Sequence, residues 1–214
     1  MYDERYANQW ILNHESRKDV FRVNCIEPFV KKKIQQISDD ARILDIGCGW
    51  GMVVDFIGNN QRYVGIDPTK EFFPYIKRKF PENNLTLIEG RLPHEINIDD
   101  TFDFISCLMA LHCVENLKDS LKVIFDKVRR GGKVFVLDFS DFAEERLRKE
   151  TYDPIYEEDK NHIKGVARLP SGIEVMSETF FHKELDFEKE LDKYGKFEKE
   201  YLGSLFVSYE IIKQ

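Results

Sequence analysis

The sequence predicts an α/β fold with a mostly parallel, seven-stranded sheet and a helical and hairpin insertion after strand five. Three observations carry this. Five short apolar runs alternate with helix-like stretches between residues 41 and 137, the first run ends in a glycine-rich turn, and two further apolar runs near the C-terminus are joined by Gly203-Ser204. Parallel neighbours need long crossovers, which the helix-like stretches supply, whereas the closing antiparallel pair needs only its short turn.

Taken in chain order, Tyr2, Tyr6 and Trp10 are spaced by four and form one face of an N-terminal helix. Val23, Ile26, Val30, Ile34 and Ile37 also keep helical spacing, and Pro28 is expected to divide that stretch into two helices. Residues 41–46 form the first strand, and a helix should begin at about Gly51. Residues 62–66 form the second strand and end at Asp67; Pro74 divides the helix between Thr69 and Phe80. Residues 84–88, 102–106 and 133–137 are the next three strands. Asn116 caps a helix whose stripe Leu117, Leu121, Ile124 and Val128 runs until Gly131-Gly132 stops it.

Beyond Asp138 the alternation breaks. Residues 141–160 are charged and helix-like, then turn at Asp153-Pro154; residues 163–169 and 173–181 flank Pro170-Ser171-Gly172 as a hairpin. A last helix carries Leu185, Leu191 and Tyr194 and ends at Gly195, and residues 197–202 and 205–212 are the closing strands. The expected organisation is one domain: a helical cover (1–38), a cofactor-binding half (39–140), a substrate-facing insertion (141–181), and the closing helix and strand pair (182–214).

Composition agrees with this and excludes other classes. The chain has 214 residues, 42% hydrophobic and 33% charged, with 12 Gly and 7 Pro, which rules out collagen-like, coiled-coil and disordered chains. A net charge of −7 counts against nucleic acid as a partner. Four cysteines, Cys25, Cys48, Cys107 and Cys113, form no CxxC pair, and the start has no apolar signal core, so a reduced, cytoplasmic chain is expected. The longest mostly apolar run, residues 104–114, falls short of the roughly 20 residues that cross a bilayer, so no membrane association is expected.

The informative feature is Asp45-Ile46-Gly47-Cys48-Gly49-Trp50-Gly51. Its glycines let the backbone turn sharply and come close to a ligand. Asp67, 20 residues after Gly47 and at the end of the second strand, stands where a carboxylate accepts both ribose hydroxyls of a nucleoside. Position 52 is Met52, so the dinucleotide fingerprint lacks its third glycine, and no Gly-Lys-Ser/Thr phosphate loop occurs. Asp45 either fixes the turn or faces a cationic ligand.

Ile43-Leu44-Asp45-Ile46-Gly47-Cys48-Gly49-Trp50-Gly51 resembles the first motif of class I S-adenosylmethionine-dependent methyltransferases. Tyr63-Val64-Gly65-Ile66-Asp67-Pro68 is similar to the second. Residues 102–112 resemble the fourth-strand motif, and residues 128–134 the glycine turn before strand five. The resemblance covers about residues 39–140. It implies a Rossmann-like, doubly wound sheet with helices on both faces and an antiparallel final strand. It also implies S-adenosyl-L-methionine as cofactor, S-adenosyl-L-homocysteine as product, and methyl transfer to an O or N atom, less readily S or C, of a small-molecule substrate.

Carried over, Gly47 and Gly49 contact the methionine moiety with Cys48 between them, Asp67 the ribose, Pro68 an adenine face, and Cys107 the cofactor through its backbone. Arg91 and Leu92 flank the adenine; relatives often hold an acidic residue where Gly90-Arg91 stand, and arginine has no acceptor. Tyr2, Tyr6 and Trp10 either fold over the cofactor, where an aromatic face holds a cation, or simply bury a helix face. Tyr152 and Tyr156 are assigned to the same substrate-facing cover. His112 is the candidate general base, with a structural role as its alternative. Asp138, ending strand five, either faces the substrate or caps the next helix. Cys107, His112 and Cys113 supply three neighbours and no fourth ligand, so no metal is expected. A monomer or homodimer is expected. The rival readings are an RNA or protein methyltransferase, which would need a basic aromatic groove, a noncatalytic cofactor-binding protein, and a nicotinamide oxidoreductase.

Overall fold

The computed structural model describes residues 3–80, 85–154 and 161–214. Asp3 caps helix α1 (Glu4–Ser16), its carboxylate accepting from the Tyr6 amide at 2.9 Å. A π turn at Arg22–Ile26 passes directly into α2 (Glu27–Ile34). Pro28 lies in the first turn of α2, where its missing N–H leaves nothing unsatisfied, so it marks a change of helix type rather than a break.

The main sheet contains β1 (Arg42–Ile46), β2 (Arg62–Asp67), β3 (Leu85–Glu89), β4 (Phe102–Leu108) and β5 (Val128–Phe139). A separate sheet of β6 (Tyr152–Pro154), β7 (His162–Arg168) and β8 (Glu174–Phe180) precedes the last two strands of the main one, β9 (Phe197–Leu202) and β10 (Phe206–Ile212). Spatial order is β3-β2-β1-β4-β5-β10-β9, with β10 antiparallel to both neighbours and the first five strands parallel. The order reverses between β1 and β4. The crevice at the carboxyl ends of those two strands is where such sheets take ligands.

Helices α3 (Phe73–Lys79), α4 (Leu117–Lys127), α5 (Ala143–Arg146) and α6 (Glu184–Leu191) complete the fold. Period two along the central strands sends successive side chains to opposite layers. Ile43, Phe104 and Phe135 pack with Val30 and Ile34 of α2, while Leu44, Ile105 and Val136 pack with Leu121, Ile124 and Phe125 of α4 and Phe187 and Leu191 of α6.

Four local expectations are corrected. The turn after β1 leads into one 3₁₀ turn, Val53–Asp55, and no α-helix begins at Gly51. The glycine turn takes residues 47–51 and a second turn the end of the crossover at 58–61, which leaves only residues 52–57 for the helical part. Helix α4 stops at Lys127, because buried Val128 already pairs with Phe102; residues 129–132 then form an irregularity before Lys133 rejoins the ladder opposite Phe104. Asp153 and Pro154 belong to β6, an edge strand, where a proline is tolerated. Leu185 is 63% exposed, and Phe187 takes its place in the core.

Candidate functional site

At the end of β1 the backbone turns through three left-handed glycines, Gly47 (φ 73°), Gly49 (φ 49°) and Gly51 (φ 87°). The Gly47 and Cys48 amides donate to Ile66 O at 2.8 and 3.0 Å, which ties the turn to β2. A Cβ on Gly47 would stand 2.4 Å from the Cβ of Ala110, so glycine is what lets the turn touch the chain leaving β4. A Cβ on Gly49 would meet nothing within 4 Å. That position borders open space.

Asp67, 6% exposed, closes the turn from the β2 side. One carboxylate oxygen accepts from the Gly49 amide and the other from the Thr69 amide, each at 2.8 Å. Burial raises its pKa, and the two amides pull it back down. Each oxygen keeps a second lone pair for another donor. Pro68 is half-buried beside it, Leu92 is buried, and Arg91 is exposed with its charge favouring ionised Asp67. Glu89, next to Asp67 across the β2–β3 ladder, pairs with Lys70 at 3.2 Å.

Asp45 lies underneath. Tyr63 Oη donates to one of its oxygens at 2.8 Å and Ser106 Oγ to the other at 2.7 Å; burial lifts its pKa to about 6. With both oxygens engaged and 2% exposure it braces β1 against β2 and β4. Cys48 is buried against β2, and Cys107 is wholly buried between Ile46 and Val136 in the ladder.

Helix α1 lies over the turn. Trp10 stacks on Trp50 of the turn with centroids 6.0 Å apart, and His14 stacks on Trp50 at 5.3 Å. Tyr6 meets Trp10 and Phe72 edge-on at 6.3 and 6.4 Å. Buried Arg22 holds this arrangement. It bonds His14 Nδ1 at 3.0 Å, donates to His14 O at 3.1 Å, pairs with Glu27, and places its guanidinium 5.9 Å from the Trp50 ring. Burial, then Arg22, Lys79 and Arg17, lower the His14 pKa to about 4, so at neutral pH the ring is uncharged and its Nδ1 accepts from Arg22. On its other side α1 meets the β7–β8 hairpin: the Gln9 amide donates to Glu174 O at 2.7 Å, and Ser171 N–H to Asn13 Oδ1 at 3.2 Å.

His112 sits in a 3₁₀ turn, Leu111–Cys113, just past β4. Its backbone N–H donates to one oxygen of Asp138 at 3.0 Å, and its Nδ1 lies 2.8 Å from the other. A carboxylate only accepts, so Nδ1 carries the proton and Nε2 is left for other work. Phe139 N–H also donates to Asp138, at 2.8 Å, and the Phe139 ring lies 4.7 Å from the imidazole. Burial by itself lowers the His112 pKa, but Cys113 and the Asp138 carboxylate outweigh it and the net shift is upward. Burial likewise opposes the Asp138 charge, and His112 reverses that to a net lowering. The cavity bordering His112, Asp138 and His182 is about 20 Å³, room for roughly one water.

Residues 44–136 match a methyltransferase domain family. The fold is the class I, Rossmann-like one of S-adenosylmethionine-dependent methyltransferases. The ubiquinone biosynthesis O-methyltransferase of Aeromonas salmonicida is 31% identical over 143 residues, 62% of this chain and 58% of that protein. The chain spans about half the length of the curated relatives it matches. Among solved structures, an S-adenosylmethionine-dependent methyltransferase from Clostridium acetobutylicum superposes with a TM-score of 0.68 at 16% identity, covering 94% of this chain and 96% of that one. The N-methyltransferase NodS from Bradyrhizobium japonicum, in complex with S-adenosyl-L-homocysteine, superposes with a TM-score of 0.61 at 11% identity, covering 87% and 85%.

In this fold, Gly47, Cys48, Gly49, Asp67 and Pro68 come together at one crevice, with Tyr6 and Trp10 above. Asp45 and Cys107 lie behind it, with closed side chains. His112 and Asp138 form one pair rather than two independent groups. Tyr152 lies in β6 opposite Ala167, while Tyr2 and Tyr156 fall outside the described residues. Sequence reasoning missed Trp50, His14, Arg22 and His182. Only Trp50 carried a signal, as an aromatic inside the glycine turn. Among the described residues no group of three or more His, Cys, Asp or Glu could hold a metal ion, and no helix is long and apolar enough to cross a membrane.

Proposed function

We propose that the chain transfers a methyl group from S-adenosyl-L-methionine to an oxygen or nitrogen of a small molecule, leaving S-adenosyl-L-homocysteine. The observation that carries this reading is the open space at Gly49, one residue of left-handed backbone whose amide is aimed at Asp67 beside the β1–β4 crevice. The residues present suit the cofactor. Gly47 and Gly49 offer bare backbone to its methionine end, Asp67 has lone pairs left for the ribose hydroxyls, and Pro68, Arg91 and Leu92 frame the adenine through apolar surface and backbone. Bound there, the cofactor supplies an electrophilic methyl group on a positively charged sulfur.

The chain's own work is orientation and exclusion of water. Helix α1, with Tyr6 and Trp10, and the insertion after β5 serve as the cover. His112 takes the proton of the acceptor at Nε2 while Asp138 holds Nδ1–H and the tautomer. Its raised pKa means this base form gains population as pH rises above the ordinary imidazole range. An oxygen or nitrogen acceptor is favoured because a proton acceptor of this kind is useful to both; the O- and N-methyltransferases that resemble the chain are consistent with either. The −7 charge favours a small molecule over nucleic acid.

Titration calorimetry with S-adenosyl-L-methionine, S-adenosyl-L-homocysteine and NAD tests the reading. Binding of both sulfur compounds and no NAD is expected. Folded protein that binds neither sulfur compound overturns it, and stabilisation by NAD would assign the crevice to a dehydrogenase.

A further inference from the structure

His182 follows β8 and reaches across to the turn that carries His112. Its Nε2 lies 2.7 Å from Val114 O and 3.2 Å from Leu111 O. Both partners are carbonyls and can only accept, so Nε2 carries a hydrogen and shares it between the two ends of the 3₁₀ turn Leu111–Cys113. The turn itself is held by Cys113 N–H to Ala110 O at 3.1 Å and Val114 N–H to Leu111 O at 3.0 Å. Val114 then leaves it in extended backbone, φ −122° and ψ 124°. A single 3₁₀ turn is a weak unit. An outside donor on both of its ends restrains it where its own two bonds do not.

We propose that His182 is a positioning residue, which clamps the Leu111–Cys113 turn and thereby sets the His112–Asp138 pair. The pair depends on that turn twice, through the His112 backbone N–H and through Nδ1, and both bonds end on one carboxylate. Displacing the turn by about 1 Å lengthens both at once, and displacements of that size are costly at reacting groups. The same segment joins the insertion to the site: Phe181 N–H donates to Asn161 O at 2.7 Å, and β8 meets α1 through Glu174. His182 is thus the link by which the cover's strand fixes the proton acceptor. The proposal rests on His112 being that acceptor, but its geometry is testable without turnover.

The groups that act on His112 are Asp138 from β5 and Cys113 on its own turn. Ring-nitrogen NMR of the cofactor-free protein follows the His112 titration and the His182 tautomer directly. His182→Phe removes the donor and keeps a ring, whereas His182→Gln keeps an N–H near the same place. The expected result is that His182→Phe lowers the His112 pKa by about one unit or more, as the pairing with Asp138 loosens, that His182→Gln restores it, and that affinity for S-adenosyl-L-homocysteine is unchanged in both. A folded His182→Phe with the wild-type His112 titration overturns the proposal. Wild-type protein whose His182 carries its hydrogen on Nδ1 and not on Nε2 overturns it too, with no variant needed. Full turnover by His112→Gln would instead refute the proton-acceptor reading, leaving the ring titrations to judge the clamp alone.

Discussion

Gly47 and Gly49 lie two residues apart in one turn, and their alanine variants should fail in different ways. At Gly47 the left-handed backbone alone costs an alanine about 1–2 kcal/mol. The new Cβ would also stand 2.4 Å from the Ala110 Cβ, an atom bonded directly to backbone that cannot swing aside. Overpacking of that kind adds about 1–3 kcal/mol, so Gly47→Ala should lose about 2–5 kcal/mol, a large fraction of the roughly 5–15 kcal/mol that holds a domain folded. At Gly49 only the backbone cost applies, because the space around it is open. Gly49→Ala should therefore stay within about 2 kcal/mol of wild type but lose tenfold or more in affinity for S-adenosyl-L-homocysteine. Urea unfolding reads the first quantity and calorimetry the second. Adding Ala110→Gly to Gly47→Ala removes the overlap and should recover about 1–3 kcal/mol as coupling in a double-mutant cycle. Zero coupling would refute the close approach of the turn to Ala110, and a Gly49→Ala variant with wild-type affinity would refute the placement of the cofactor.

Asp67→Ala should weaken S-adenosyl-L-homocysteine binding by tenfold or more, since a charge-assisted contact is worth about 1.5–3 kcal/mol; unchanged calorimetry would remove Asp67 from the site. Asp138→Asn takes away a charge that holds the His112 pKa up, so the ring-NMR titration of His112 should move toward lower pH, and a titration that stays put or rises contradicts the pairing. His14 titrates at about 4 folded against 6.5 unfolded, so the unfolded chain binds the extra proton first as pH falls. The stability tied to neutral His14 is complete above 6.5, declines through that window and is gone below about 4, a loss of up to about 3 kcal/mol. Comparing urea midpoints between pH 7.5 and 5 in wild type and His14→Gln checks this: the variant should show a flatter dependence, and parallel curves would disprove it.

The strands and most helices were legible because their signals are local. The short apolar run at residues 102–106 and the four-three spacing of Leu117, Leu121 and Ile124 are each signals that a short window reveals. The glycine turn was legible for a related reason, since left-handed backbone restricts the residue type at that position. The exceptions were places where a neighbour decided. Val128 continues the stripe of α4 yet pairs with Phe102, and the α-helix expected at Gly51 gives way to one 3₁₀ turn because the crossover to β2 is short. The closing helix was legible, but it ends at Leu191 rather than at Gly195, and Leu185 proved to be on the solvent side.

The candidate site divides in the same way. From the sequence alone came the sheet, the turn with Asp45, Gly47 and Gly49, the carboxylate Asp67 at the end of the second strand, and His112 beyond the fourth. Those features are set by backbone conformation and by position on a strand, which neighbouring residues encode. Only the tertiary structure decided that Asp45 is spent on Tyr63 and Ser106, that Asp138 belongs to His112, and that Trp50 is sandwiched with residues 10, 14 and 22. The reach of His182 to residues 111 and 114 is of that kind as well. Such contacts join residues tens of positions apart, and no short-range period records them, because they come into being only when the packed layers bring the carboxyl ends of the strands together.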